Sequence, residues 1–279
     1  MWCLEPAEPR CSRCCLPISP AGVGPSRIVQ VPSEGTREAF VALLAAPPER
    51  VVTLLRESRE MVRAVLEVAA KNGLAAAQVQ LGRMLLEGGV AAVPDYDAAF
   101  EWFGRAAAQG DIEAANMLGR CFENGWGVGV DFSRAAGWFR VAAERGDSWA
   151  QYNLGHLYLN GQGVLRDVFQ AVGWYRAASD QGHPRALNLM GRCCEQGWGV
   201  PRDLAVATRY YRASAEAGYF RGQFNFAAVL MEQRRFAEAR CWFGRAIRQA
   251  PPNSRAKMME TVEARWTVLC EGGFRLCEE

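Results

Sequence analysis

Residues 150–182 read AQYNLGHLYLNGQGVLRDVFQAVGWYRAASDQG, and the same pattern returns on both sides of them. Aligned on Gly110, Gly146, Gly182 and Gly218, the chain repeats every 36 residues. Asp95, Asp131, Asp167 and Asp203 fall into one column, and Trp102, Trp138, Trp174 and Tyr210 into another. A fixed period of this size means stacked supersecondary units, each burying its apolar face on its neighbours. It argues against a single enzyme-like globular core.

The unit around Asp167 shows how each repeat is built. Helix A is expected over Ser148–Leu159 and is closed by Asn160-Gly161, since glycine accepts the left-handed conformation of a C-terminal cap. The loop Gly161-Gln162-Gly163-Val164 leads to Asp167, which with Gln170 fits a capping box for helix B. Gly182 closes helix B. His183-Pro184 then opens the next unit, with proline tolerated in the first helical turn. Leu81, Leu118, Leu154 and Met190 supply a large apolar knob on helix A. Gly82, Gly119, Gly155 and Gly191 follow directly, where the missing side chain lets helix B approach. Ala106, Ala142, Ala178 and Ser214 offer a small surface on helix B. Phe103, Phe139, Tyr175 and Tyr211 are expected to fill the space between repeats. An aromatic stripe at this spacing reads as core.

Working outward, four full repeats span 74–110, 111–146, 147–182 and 183–218. A fifth, 219–250, has a loop four residues shorter. Residues 36–73 read as N-terminal capping helices: Thr36–Ala46, stopped by Pro47-Pro48, then Glu49–Asn72. Residues 1–35 hold six prolines and no helical period and are expected to be a disordered arm. Residues 251–279 read as a C-terminal capping helix from Ser254, its expected N-cap, to Cys270, with a short tail. The expected fold is all-α, a right-handed α-α superhelix of helix pairs, 74–250 forming its repeats.

The pattern Ala-x-x-x-Leu-Gly-x-x-Tyr, then Gly-x-Gly-Val, then Asp-x-x-x-Ala-x-x-Trp-Tyr-x-x-Ala-Ala and a closing Gly, resembles the Sel1-like repeat, a relative of the tetratricopeptide repeats with a longer loop between its helices. The resemblance covers about 74–250, and the fifth unit departs from it towards an ordinary tetratricopeptide repeat. It implies a curved superhelix with helix A on the concave side, and a protein-binding adaptor. Carried over on that geometry, the inward columns are Glu113, Trp149 and Arg185; Asn116, Tyr152 and Asn188; Arg83, Arg120, His156 and Arg192; and Glu123, Leu159 and Glu195, beside Asn124, Asn160 and Gln196. Spaced i, i+3, i+7 and i+10, they share one face of helix A. Asparagine both donates and accepts and can hold a peptide backbone. Arginine forks onto carboxylates. Trp149 and Tyr152 are candidate rigid anchors. On this reading, changing Asn116, Tyr152 and Asn188 to Ala costs binding but little stability. The same residues also suit a merely solvated helix face, Arg120 and Glu123 pairing within one helix. Trp126 and Trp198, in Gly-Trp-Gly-Val loops, are expected to fold back onto the repeats.

Composition narrows the partner class. The net charge of +2 with dispersed charge argues against nucleic acid, and no apolar run reaches membrane-spanning length. Lysine occurs only at 71 and 257, leaving 30 of 32 basic residues as arginine, a skew expected of a GC-rich, bacterial genome. The N-terminus lacks the apolar core of a secretory signal, so a cytoplasmic location and reduced thiols are expected. Cys121, Cys193 and Cys194 stand in apolar columns and read as inert buried thiols. Cys3, Cys11, Cys14 and Cys15 are different: Cys11-x-x-Cys14, with Cys3 or Cys15, is a metal or redox candidate, though a lone CxxC without histidine is a weak signal. No Ser–His–Asp or Cys–His set, Walker motif or HExxH is present. The expectation is a non-catalytic, cofactor-free scaffold binding a protein or peptide, the alternative being a metal- or redox-responsive regulator working through the arm cysteines.

Overall fold

The computed structural model describes residues 59–88 and 93–271. The chain divides into two units, 1–64 and 65–279, and the architecture below is that of the second. The expected arm 1–35, the expected helix 36–46, residues 89–92 and the expected tail 272–279 lie outside the described residues, as do the arm cysteines.

Twelve helices and no strands make up the described residues. They are α1 Arg59–Lys71, α2 Ala75–Leu86, α3 Tyr96–Ala108, α4 Ile112–Asn124, α5 Phe132–Glu144, α6 Ser148–Asn160, α7 Val168–Asp180, α8 Pro184–Gln196, α9 Leu204–Glu216, α10 Phe220–Glu232, α11 Phe236–Gln249 and α12 Pro252–Glu271. Each even helix from α2 to α10 pairs with the next as helices A and B of one repeat, and each B helix packs on the following A helix. This is a solenoid of helix pairs, in which a repeat touches chiefly its neighbours.

The glycine column explains why A and B pair so closely. A Cβ placed on Gly82 would lie 2.6 Å from the Phe103 ring; on Gly119, 2.5 Å from Phe139; on Gly155, 2.8 Å from Tyr175; on Gly191, 2.6 Å from Tyr211. The aromatic column therefore lies flat on the glycine of its own repeat. It fills its own repeat and, as the column pattern suggests, the joint to the next as well: Phe103 shares a core with Leu118 and Cys121, Phe139 with Leu154 and Leu157, and Tyr211 with Phe226 and Leu230. All four rings are at most 1% exposed. Small residues also meet at the joint between repeats four and five, where a Cβ on Gly222 of α10 would collide with Ser214 Oγ of α9.

Aspartates fix both helix starts. Asp95, Asp131, Asp167 and Asp203 cap the B helices, accepting from Ala98, Arg134, Gln170 and Val206 N–H at 2.9–3.0 Å. Asp111 and Asp147 do the same for α4 and α6, each cap contributing about 1 kcal/mol. The capping box expected of Asp167 and Gln170 is replaced by a tertiary bond: Asp167 N–H donates to Tyr158 O at 3.0 Å. Asp131 and Asp203 donate likewise to Phe122 O and Cys194 O. These bonds tie the start of helix B to the end of helix A, so the cap also locks the loop. Glycines at the ends of α4, α6 and α8 take φ of 75°, 71° and 73°. Ser254 lies inside the first turn of α12 and does not cap it.

Gly119→Ala should lower the urea midpoint, costing about 1–3 kcal/mol because the new methyl overpacks Phe139. Gly137→Ala is the control. That helical glycine has nothing within 4 Å of a Cβ, so alanine there should stabilise by roughly 0.5–1 kcal/mol.

Candidate functional site

The A helices α2, α4, α6 and α8 carry the columns predicted to meet a partner, and the structure sorts them into three kinds. Some are spent on joining repeats. Asn116 and Asn188 are 7% and 5% exposed. Asn116 Oδ1 accepts from Asn153 Nδ2 at 3.2 Å, and Asn188 Oδ1 from Asn225 Nδ2 at 2.8 Å. The expectation that these two stand free for a peptide backbone gives way to a structural part: each is an amide strut to the next A helix. Arg83 and Glu113 form an ion pair from α2 to α4, part-exposed and thus of modest worth.

A second set is turned onto its own repeat. The Arg120 guanidinium lies 5.0 Å from the Trp126 ring centre, and that of Arg192 lies 5.4 Å from Trp198. Trp126 in turn stacks on Tyr96 at 6.2 Å, so this loop tryptophan folds back as expected. Trp198 remains 37% exposed. Glu195 accepts from the Tyr211 hydroxyl at 2.8 Å. Burial raises the Glu123 carboxyl above its ordinary range, opposed by Arg120, and no ion pair joins these two. Asn124 donates to Arg120 O and Asn160 to Gln162.

The third set is an aromatic cluster centred on α6. Trp149 is 47% exposed and meets His183 edge-on at 4.5 Å between ring centres. Tyr152 lies 5.2 Å from His183, 6.2 Å from Tyr175 and 6.4 Å from His156. Arg185 lies over Trp149 at 5.1 Å and reaches Tyr219 at 6.0 Å. Trp149, Tyr152, His156 and Arg185 of the predicted set thus come together, joined by His183 and Tyr219, which column reasoning on helix A missed because both stand at helix N-caps.

His183 does two jobs. Its Nδ1 accepts from Ala186 N–H at 3.2 Å, replacing the aspartate of the preceding repeats as cap. Burial, reinforced by Arg185, pushes its pKa down to about 4. Burial also lowers His156. Arg120 is held below its ordinary value, first by burial and then by the guanidiniums of Arg185 and Arg83, against Glu123. The guanidiniums of Arg83 on α2 and Arg185 on α8 thus act on Arg120 of α4.

Two kinds of strut alternate along the stack. Gln78, Gln151 and Gln223, all buried, donate to Ala70 O, Ala143 O and Ala215 O of the preceding helix and pair with Gln109, Gln181 and Gln249 of their own repeat. In repeats two and four the same column holds Ala115 and Leu187. The asparagine struts, Arg120 and Arg192, Trp126 and Trp198, and Cys121 and Cys193 also recur every 72 residues. The struts and these residues therefore repeat by pairs of repeats, a signal present in the sequence at twice the obvious period.

Cys121, Cys193 and Cys194 are buried and unpaired. Burial raises Cys121 to about 12 and Cys193 to about 11, so neither is a thiolate at neutral pH. Among the described residues no group of three His, Cys, Asp or Glu side chains could hold a metal ion, and no helix is long and apolar enough to cross a membrane.

Two outcomes follow. Asn116→Ala should destabilise by about 1–2 kcal/mol in urea unfolding, since it strands the Asn153 amide. A histidine whose pKa falls from 6.5 to about 4 on folding contributes stability present above the unfolded value and lost as pH drops towards the folded one. Between pH 6.5 and 5, His183→Asp should therefore show a shallower decline of melting temperature than the parent.

The Sel1 repeat family matches residues 75–111, 112–147, 150–183 and 184–219. Among solved structures, a protective antigen of uropathogenic Escherichia coli displaying the same repeat fold is 28% identical over 77% of this chain, with a TM-score of 0.60. This chain covers 46% of that one, so it spans about half its length. A Sel1 repeat protein from Oxalobacter formigenes is 25% identical over 82% of this chain and 86% of its own, with a TM-score of 0.59. No curated protein sequence matches. Sel1 repeat proteins generally mediate protein–protein interaction on a fold that is typically a non-catalytic scaffold. With its repeats matched over more than half its length, the chain belongs to the Sel1 repeat family.

Proposed function

We propose that this protein is a non-catalytic adaptor that holds a protein or peptide segment against the A-helix face of its solenoid. The observation that carries this reading is the α6 cluster. Trp149 leaves nearly half its surface in solvent while its ring is immobilised by His183 and Arg185. A rigid, half-exposed tryptophan flanked by arginine is the make-up of an interface hot spot, and it loses little side-chain entropy on binding. The effect of Arg83 and Arg185 on Arg120 supports an A-helix face whose cations lie near one another. The polar residues of that face divide the work: Asn116, Asn188, Arg83 and Glu113 set the spacing of the repeats, and Trp149, Tyr152 and Arg185 meet the partner. Arg120, His156, Arg192, Glu123 and Glu195 line the flanks.

The test is affinity capture from native lysate with three proteins: the parent, Trp149→Ala/Arg185→Gln, and Arg209→Gln/Arg240→Gln on exposed positions of the B helices. A partner retained by the parent and the B-helix variant but lost from the A-helix variant is the expected result. Equal retention by all three would sink the assignment of the face.

A further inference from the structure

The cluster that anchors the proposed partner also has a charge deficit and a hydrogen-bond deficit, and both point to the same ligand chemistry. Arg185 is exposed, with its guanidinium between the Trp149 and Tyr219 rings. Among the described residues no carboxylate lies within ion-pair distance of it. Arg120 and Arg192 are likewise held by tryptophan rings and form no ion pair among the described residues. Aromatic faces hold a guanidinium through its plane and leave its N–H edge free to fork onto an oxyanion.

Around Tyr152 sit donors without acceptors. His183 is 4% exposed and its Nδ1 is committed as an acceptor. That bond fixes the proton of the neutral ring on Nε2, and Nε2 has no hydrogen-bond partner. Tyr175 is fully buried and its hydroxyl also lacks a partner. Tyr152 packs on both rings. Buried donors left unmatched are costly, and an exposed cation without a carboxylate of its own suits a ligand that only accepts.

We infer that Trp149, Tyr152, His183, Arg185 and Tyr219 form a specificity pocket for a carboxylate of the bound segment, supplied by an aspartate, a glutamate or the chain terminus, with Arg185 as its ion-pairing residue. The inference rests on the A-helix face being the docking surface. The apolar part of the segment packs on Trp149, while the carboxylate forks onto Arg185. The paired Arg83 and Glu113 mark the edge of the cationic stretch, since a second charge there is already neutralised within the chain.

The experiment pans a random short-peptide display library against the full-length protein and measures the enriched peptides by fluorescence anisotropy. Parent, Arg185→Gln and Arg185→Lys are compared, with thermal melts to show that the variants fold. Enriched peptides should share an acidic residue or need a free C-terminus. Arg185→Gln should weaken them roughly 10-fold to 100-fold, as expected of a lost charge-assisted bond, and Arg185→Lys less. Replacing the peptide's acid by its amide should reproduce the loss. Peptides without acidic bias, or affinities indifferent to Arg185→Gln, would overturn the carboxylate pocket while leaving the docking face intact. Failure to enrich any peptide, or enrichment abolished only by B-helix changes, would overturn the docking face and the pocket with it. Displacement of bound peptide by single-stranded RNA, with acid-to-amide peptides binding undiminished, would reassign the cluster to base stacking.

Discussion

Everything in this solenoid depends on an aromatic ring lying on a glycine. In each of the four Sel1 repeats a phenylalanine or tyrosine of helix B occupies the place where a Cβ of helix A would be. The contact sets the distance between the two helices and excludes water from the centre of every repeat. The same rings share a core with apolar residues of the next repeat, so they serve the joint as well. Apolar contact alone is non-directional and would let one repeat slide on the next.

The amide struts answer that problem. A buried glutamine or asparagine bonded across the joint favours one register, because any other would leave its polar atoms unmatched in a dry interior. Glutamine struts serve repeats one, three and five, and asparagine struts lie between two and three and between four and five. The result is a stack with a two-repeat period. The tryptophan-bearing loops follow the same alternation, which places an aromatic A helix, α6, between two arginine-bearing ones, α4 and α8.

That alternation produces the proposed binding cluster. α6 contributes Trp149, Tyr152 and His156, while α8 contributes Arg185 and the capping His183. The substitution of histidine for aspartate at one N-cap removes a carboxylate from beside Arg185 and adds an imidazole that packs on Trp149. A single change at a helix start thus alters the charge of the whole cluster. The interaction role belongs to the family at the coarse level; the proposed carboxylate preference rests on these particular columns.

Helix pairs, their boundaries, the aspartate caps and the glycine turns were legible in the sequence, because each is decided by residues within one 36-residue unit: a cap bonds to an amide two or three residues on, and a left-handed turn needs a glycine where it stands. The candidate site was half legible. Trp149, Tyr152 and Arg185 could be placed on one face from helical spacing alone. Whether Asn116 was a ligand or a strut could not, since its partner Asn153 stands 37 residues away and both readings need the same polar side chain. The same holds for the ring of Phe139, whose column fits packing within a repeat as well as between repeats. Local chemistry thus determined the units and their order. Only the tertiary stacking decided which polar side chains were consumed at the joints and which remained available, because that depends on what the neighbouring repeat presents to them.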